Sequence, residues 1–209
     1  MSFVCLLANR NGAVVSSDTR ITYNLLGKQL NIHYDHKQKV FRADRGRILW
    51  GAAGIAMSGI SIVNLEVEKI FSRSDLSLDE RILRIRRYIC RISKQFYKMM
   101  LKKSDGIIHI VYASYIDPEA PIAGEIFALN GDITTDRTCP LPVYLQMGSN
   151  AAFLPPAEPL SDEMSIDELT EFAAERVRLA ISYDKNRKAE DPGYNITVGG
   201  SIRSRSVSI

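Results

Sequence analysis

The sequence predicts an α+β protein built as a four-layer αββα sandwich, in which two antiparallel sheets face each other and helices cover both outer sides. Runs with the period of two that is typical of strands lie on either side of two consecutive segments with the period near 3.6 that is typical of helices. Strand runs interrupted by consecutive helices favour antiparallel sheets over alternating βαβ units. Each sheet then needs one face against the other sheet and one face under helices.

Two β-hairpins are predicted in the first quarter of the chain, because short apolar runs flank turn sequences there. The turns lie at Asn9–Gly12 and Asp44–Gly46. The polar stretch Thr22–Gln38 between the hairpins is expected to form an extended loop or a short strand pair. The four hairpin strands are predicted at Phe3–Leu7, Ala13–Val15, Lys39–Phe41 and Arg47–Trp50.

Three helices are predicted. The first follows Gly54, where the apolar period changes from two to about 3.6 and Ala56, Ile60 and Val63 begin an apolar side. The other two open with capping-box sequences at Ser77 and Ser165, and the second helix is expected to run to about Lys102. The remaining strands are predicted at Ile107–Tyr115, Gly124–Asn130, Val143–Met147 and Tyr194–Ile202, before a flexible tail over about residues 203–209.

Length and composition place the whole chain, residues 1–209, in one domain. Hydrophobic residues make up 45% and charged residues 24%, the balance of an ordinary globular protein. No apolar run approaches the ~20 residues that a membrane-spanning helix needs. The N-terminus lacks the basic leader and cleavage site of a secretory signal, and three widely spaced cysteines argue against a disulfide framework. These features predict a cytoplasmic protein without a membrane partner.

The charge pattern argues against a nucleic-acid partner. The formal net charge is only +3, and the basic residues of Arg81–Lys103 alternate with apolar ones at helical spacing. That pattern is typical of a solvated helix face opposite a buried one. The apolar residues in question are Ile82, Ile85, Ile89, Ile92 and Phe96.

Ser2 is the first candidate for catalysis. Serine is small enough to permit removal of Met1, which would leave a hydroxyl and a free α-amine on one residue. An α-amine has a pKa of ~7.7–8.0, so it can act as the general base for its own hydroxyl.

Motifs along the chain resemble those of proteasome β-type subunits and bacterial proteasome-like peptidases, which are N-terminal-nucleophile hydrolases. The segment Gly12–Arg20 resembles the family's second strand, with Ser2 at the position of the N-terminal threonine. Lys39-Val40-Phe41 and Gly51-Ala52-Ala53-Gly54 resemble the strand and the glycine turn that lead to the first helix. Met147–Ala151 resembles the later Gly-Ser-Gly segment, with Asn150 in place of the second glycine.

The resemblance implies a role for each matching residue. Ser2 would be the nucleophile, Lys39 would hold a positive charge beside it and pass protons, and Asp18 would orient Lys39. The backbone N–H of Gly54 would stabilise the oxyanion. Ser149 and an aspartate before the last strand would bind the α-amine, with Asp191 preferred over Asp184 because it lies at the strand entry. The residues expected to bind substrate are Arg20, Ile21, Phe41 and Ala52.

The resemblance also implies that the chain is a threonine-type endopeptidase subunit, here using serine, which assembles with itself in a ring or stacked double ring. An ATP-dependent unfoldase is the expected further partner, and a protein or peptide is the expected substrate. No cofactor or metal is expected, because the sequence has no phosphate-binding-loop pattern and His33 and His36 lack further ligands at suitable spacing.

Two other functions remain open. One is a non-catalytic structural subunit like the α-type subunits, although their N-terminal helical extension has no counterpart before the first predicted strand. The other is a small-molecule amidase with the same chemistry, a class that usually begins with cysteine.

Overall fold

The structure is a computed structural model that describes residues 2–25, 28–55, 62–194 and 196–209; for residues 21–34 and 62 it describes the backbone alone. The described strands are β1 Phe3–Asn9, β2 Gly12–Asp18, β3 Ile21–Leu25, β4 Lys28–Tyr34, β5 Val40–Ala43, β6 Ile48–Gly54, β7 Ile107–Ser114, β8 Ile122–Leu129, β9 Asp132–Cys139, β10 Val143–Gly148 and β11 Ile202–Ser208. The described helices are α1 Ile62–Phe71, α2 Leu78–Met99 and α3 Ile166–Glu190.

The strands form two larger antiparallel sheets and one ribbon. The first sheet has the order β10-β1-β2-β11, and the second has the order β5-β6-β7-β8-β9. Strands β3 and β4 pair with each other. Both predicted hairpins are confirmed, as is the short strand pair within Thr22–Gln38.

Three apolar clusters show that the sheets and helices are stacked in four layers. Val4, Leu6 and Val15 of the first sheet meet Leu49 and Val111 of the second sheet in the central cluster. A second cluster lies between the second sheet and helices α1 and α2, and a third lies between the first sheet and α3. The predicted αββα sandwich is confirmed.

The helices begin as predicted where the structure describes their starts. Ser77 and Ser165 both form complete capping boxes, with Glu80 and Glu168 respectively. Helix α2 ends at Met99, three residues before the predicted end at Lys102. Leu101 and Lys102 adopt positive φ angles of 51° and 60°, which a right-handed helix cannot contain. The predicted start of the first helix, including Ala56 and Ile60, lies outside the described residues.

Two edge strands differ from the prediction. The last strand is Ile202–Ser208 and not Tyr194–Ile202, so residues 203–208 belong to a sheet and not to a flexible tail. This strand pairs with β2 along its length, and its Ser204 hydroxyl lies 2.6 Å from that of Ser16. Strand β9 was not predicted because it is largely polar and exposed, as edge strands often are.

None of the helices within the described ranges is both long enough and apolar enough to cross a membrane.

Candidate active site

A buried ion pair joins the end of β2 to the residue before β5. Lys39 Nζ lies 2.7 Å from Asp18 Oδ1, and both side chains are fully buried. Lys39 also donates a hydrogen bond of 2.6 Å to the carbonyl oxygen of Arg20. Burial lowers the pKa of the Lys39 ammonium, while the charge of Asp18 opposes that change. The site therefore holds an amine whose proton is easier to remove than that of an exposed lysine.

Asp18 binds three backbone segments in addition to Lys39. Its Oδ1 accepts a hydrogen bond of 2.8 Å from the N–H of Phe3. Its Oδ2 accepts from the N–H groups of Arg20 at 3.2 Å and Gly199 at 3.1 Å. Lys39 and the amide of Phe3 thus share one carboxylate oxygen, which places the lysine two hydrogen bonds from the peptide that links Ser2 to Phe3.

Ser2 is buried directly before β1, at the end of that strand where Phe3 binds Asp18. Its carbonyl oxygen accepts a hydrogen bond of 2.9 Å from the N–H of Ser149. This approach requires glycine at position 148, because φ is +97° there and a Cβ atom would lie 1.7 Å from the Ser2 oxygen. The structure thus brings Ser149 to Ser2, while the hydrogen bond predicted between Ser149 and the α-amine stays a prediction.

The Ser149 hydroxyl oxygen is buried and has no hydrogen-bond partner among the described residues. A buried polar group without a partner costs stability, and in native proteins such a group calls for an explanation such as a catalytic role or a bound ligand. Here the hydroxyl belongs to the residue whose backbone binds Ser2. It is suited to accept or donate a hydrogen bond at the start of the chain.

Asp184, and not the preferred Asp191, is the buried aspartate beside this turn. Asp191 is exposed at the C-terminus of α3, where its carboxylate accepts from the N–H of Gly193 and its carbonyl accepts from the N–H of Tyr194. Asp184 is fully buried, and its Oδ1 accepts from Asn150 Nδ2 and the Tyr194 hydroxyl, both at 2.6 Å. The sequence favours Asp191 because a strand is expected to begin at Tyr194, but the last strand begins at Ile202. That argument fails, and Asp184 replaces Asp191 as the candidate.

The segment 197–199 is held between Asp184 and Asp18. Asp184 Oδ2 accepts hydrogen bonds from the N–H groups of Thr197 at 2.5 Å and Val198 at 2.7 Å. Gly199 then donates to Asp18, and its carbonyl accepts from Thr19 and Arg20. Asp184 is therefore a positioning residue that connects α3, the Ser149–Asn150 turn and the Asp18 carboxylate.

Asp184 could have been found in the sequence. It continues the helical spacing of Ala173, Val177 and Ala180, all of which are buried in α3. A carboxylate on the apolar side of a helix needs hydrogen-bond donors, and this requirement marks it as a candidate structural or functional residue.

The oxyanion candidate Gly54 is the last residue of β6 and has a φ of +85°. A Cβ atom there would lie 2.1 Å from the carbonyl oxygen of Ile107, so only glycine fits. The residues that follow, 56–61, lie outside the described ranges. The assignment of the Gly54 N–H to the oxyanion stays a prediction.

The candidate substrate-binding residues fall into two groups. Ala52 lies beside Lys39, since its N–H donates to the Lys39 carbonyl at 3.1 Å, and Phe41 belongs to the same apolar cluster and stacks on Trp50. Arg20 instead forms a two-pronged ion pair with Asp35, with both N–O distances at 2.7 Å. The Arg20 guanidinium is therefore already paired with a carboxylate of the same chain. The side chain of Ile21 lies outside the described residues.

No group of three or more potential metal ligands occurs in the part of the chain that the structure describes.

The strand order and layering are those of the proteasome-like sandwich fold that the sequence resemblance predicted. Similar solved structures include Anbu, an ancestral β-subunit, from Yersinia bercovieri, with a TM-score of 0.63, 13% identity, and coverage of 99% of this chain and 81% of that chain. HslV from Trypanosoma brucei has a TM-score of 0.60, 12% identity, and coverage of 99% of each chain.

Anbu from Hyphomicrobium sp. strain MC1 gives a TM-score of 0.56 at 14% identity, covering 99% of this chain and 82% of that chain. At such identities the likeness shows the fold. Comparison of the sequence with protein-family models and with curated proteins finds no match.

Proposed function

We propose that this chain is a serine-dependent endopeptidase subunit of the threonine-type class, with Ser2 as its N-terminal nucleophile. The observation that carries the proposal is the buried Lys39–Asp18 pair, which shares a carboxylate oxygen with the amide of the residue after Ser2. Burying two charges is costly, and this cost motivates the proposal that the pair serves the chemistry of Ser2. A lysine at this position can stabilise negative charge on a neighbouring hydroxyl oxygen.

The proposed reaction begins once Ser2 is the first residue. Its α-amine takes the hydroxyl proton, and Ser2 Oγ attacks the carbonyl carbon of a peptide bond. The Lys39 cation favours the ionised nucleophile, and the Gly54 N–H stabilises the negative oxygen of the tetrahedral intermediate. The protonated α-amine then gives its proton to the leaving amine, which produces an ester on Ser2. Water hydrolyses this ester with the same base and restores the free hydroxyl.

Two further groups support the α-amine in this proposal. The unpaired Ser149 hydroxyl accepts a hydrogen bond from it. Asp184 holds the adjacent turn through Asn150 and therefore fixes where that hydroxyl lies. Phe41 and Ala52 form part of an apolar wall for the residue that precedes the cut bond.

The proposed assembly is a ring or stacked double ring of identical subunits, supplied with unfolded protein by an ATP-dependent unfoldase in the cytoplasm. Closed rings restrict access to enclosed active sites, which suits a peptidase with little intrinsic selectivity. The support for this part is the likeness of fold to Anbu and HslV.

Peptide hydrolysis tests the proposal. Protein whose first residue is Ser2 should cleave peptides with apolar side chains before the cut bond, and Ser2→Ala or Lys39→Met should each lower kcat by about a thousandfold or more, since each removes part of one catalytic unit. Asp191→Asn is the matched control and should retain activity within about twofold, because Asp191 is exposed and contacts only its own turn.

Hydrolysis that survives in Ser2→Ala would exclude Ser2 as the nucleophile. A folded wild-type protein that begins at Ser2 and cleaves no peptide would favour the non-catalytic subunit instead.

A further inference from the structure

Helix α2 carries a stripe of five exposed cations, which we call the basic stripe. Its members follow one another at intervals of three and four residues, so they lie on one side of the helix over about 21 Å. None of them forms an ion pair within the described parts of the chain. The basic stripe consists of Arg84, Arg87, Arg91, Lys94 and Lys98.

A cleft of about 680 Å³ between α1 and α2 extends the positive surface. Lys69 and Arg73 line its other side, and Glu66 is the one carboxylate in its lining. Leu65 of α1 and Leu83 of α2, which precede the cleft residues Glu66 and Arg84 in the sequence, are 54% and 41% exposed. Lys69 pairs with Glu66 at 3.9 Å and Arg73 pairs with Asp75 at 2.5 Å, so the unpaired cations of this face are those of the basic stripe. Together with the exposed apolar side chains they favour a protein partner over a small ion.

The first half of α3 has the opposite charge pattern, which we call the acidic ridge. Asp167, Glu171 and Glu175 are exposed at intervals of four residues, so they form a row about 12 Å long. Arg178 pairs with Glu171 at 2.7 Å, and no such pair is formed by the other two in the described residues. The row is long enough to face three consecutive cations of the basic stripe.

The two surfaces cannot meet within one chain. Helix α2 covers the second sheet and α3 covers the first, so they form opposite outer layers of the sandwich. Two copies can bring them together.

We infer that the basic stripe of one copy binds the acidic ridge of α3 in a second copy. The contact is heterologous, or head to tail, because each copy contributes a different surface, and repetition of such a contact gives a ring or an open helical assembly. The inference rests on the proposed self-assembly and deepens it by naming the surfaces. It makes no use of the chemistry of Ser2.

The contact should depend strongly on salt. Exposed ion pairs are individually weak and are screened over about 10 Å at 0.1 M ionic strength and about 3 Å at 1 M. We therefore expect association at low ionic strength to weaken at least tenfold as sodium chloride rises to 1 M.

Charge reversal with rescue tests the inference in the full-length protein by sedimentation velocity. The first variant combines Arg84→Glu, Arg87→Glu and Arg91→Glu; the second combines Asp167→Lys, Glu171→Lys and Glu175→Lys. Each alone should associate at least tenfold more weakly than wild type, and an equimolar mixture of the two should recover at least tenfold, because the reversed surfaces attract. The control combines Arg42→Glu, Arg45→Glu and Arg205→Glu, which are exposed on other faces, and should associate as wild type does.

Three results would overturn the inference: a wild-type protein that stays monomeric at low salt, a first variant that associates as well as the control, or a mixture that gains nothing over its components. Rescue in the mixture shows that both variants are folded. Ser2→Ala should assemble as wild type does. Sedimentation therefore tests the contact between copies, and peptide hydrolysis tests the proposed catalysis, so one can fail without the other.

Discussion

Replacing Asp18 with asparagine should lower the free energy of unfolding by about 3–5 kcal/mol, the cost of leaving one partner of a buried ion pair unpaired. Lys39 would be left fully buried without its counter-ion, so it must either stay charged at a large desolvation cost or lose its proton. The asparagine NH₂ group would also replace one of the two acceptor oxygens, which now accept from Phe3 at Oδ1 and from Arg20 and Gly199 at Oδ2. Urea unfolding followed by circular dichroism measures the change.

The double variant Asp18→Asn with Lys39→Met is the control for this interpretation. It removes both charges, so it should be more stable than Asp18→Asn alone by at least about 1 kcal/mol. Equal stability of the single and double variants would mean that the unpaired lysine is not the source of the loss.

Replacing Asp184 with alanine should have a comparable effect on stability, about 3–5 kcal/mol, for a different reason. The change leaves buried donors on Asn150, Thr197 and Val198 without their acceptor, and each unsatisfied buried group costs about 1–3 kcal/mol before relaxation. Peptide hydrolysis should fall with it by at least about tenfold, because the turn that carries Ser149 loses its anchor.

Asp191→Ala is the matched control for Asp184→Ala. It removes an exposed aspartate a few residues away and should change the free energy of unfolding by no more than about 0.5 kcal/mol. If the two variants prove equally stable, then Asp184 does not hold the site together and is not the supporting aspartate.

The parts of the fold that were predictable depend on local signals. The capping boxes at Ser77 and Ser165 and the apolar runs of the first hairpin lie within a few residues of one another in the sequence. Strands β9 and β11 carry no such local signal. An edge strand is partly exposed and can be largely polar, as β9 is, and serine and arginine alternate along β11. The pairing of β11 with β2 depends on residues almost a full chain length apart.

Site residues that lie in a family motif could be predicted from the sequence. Those that are brought together only by tertiary contacts could not. Asp18 and Lys39 are separated by 21 positions, yet their pairing followed from the family pattern. Asn150 stands in for a glycine because it adopts a φ of 69°, which asparagine tolerates, and its side chain adds the bond to Asp184. The pairing of Arg20 with Asp35 could not be foreseen, because Arg20 lies between β2 and β3 while Asp35 follows β4, in a part of the chain that the family pattern does not specify.

The most direct test of the central claim, that Ser2 is an N-terminal nucleophile, is the intact mass of the protein purified from its native host, before and after reaction with an electrophile that requires both a hydroxyl and an α-amine on one residue. We expect a mass that corresponds to Ser2 as the first residue, and one adduct that maps to Ser2 and is absent in Lys39→Met. A mature chain in which Ser2 remains linked to a preceding residue and that forms no adduct would contradict the claim.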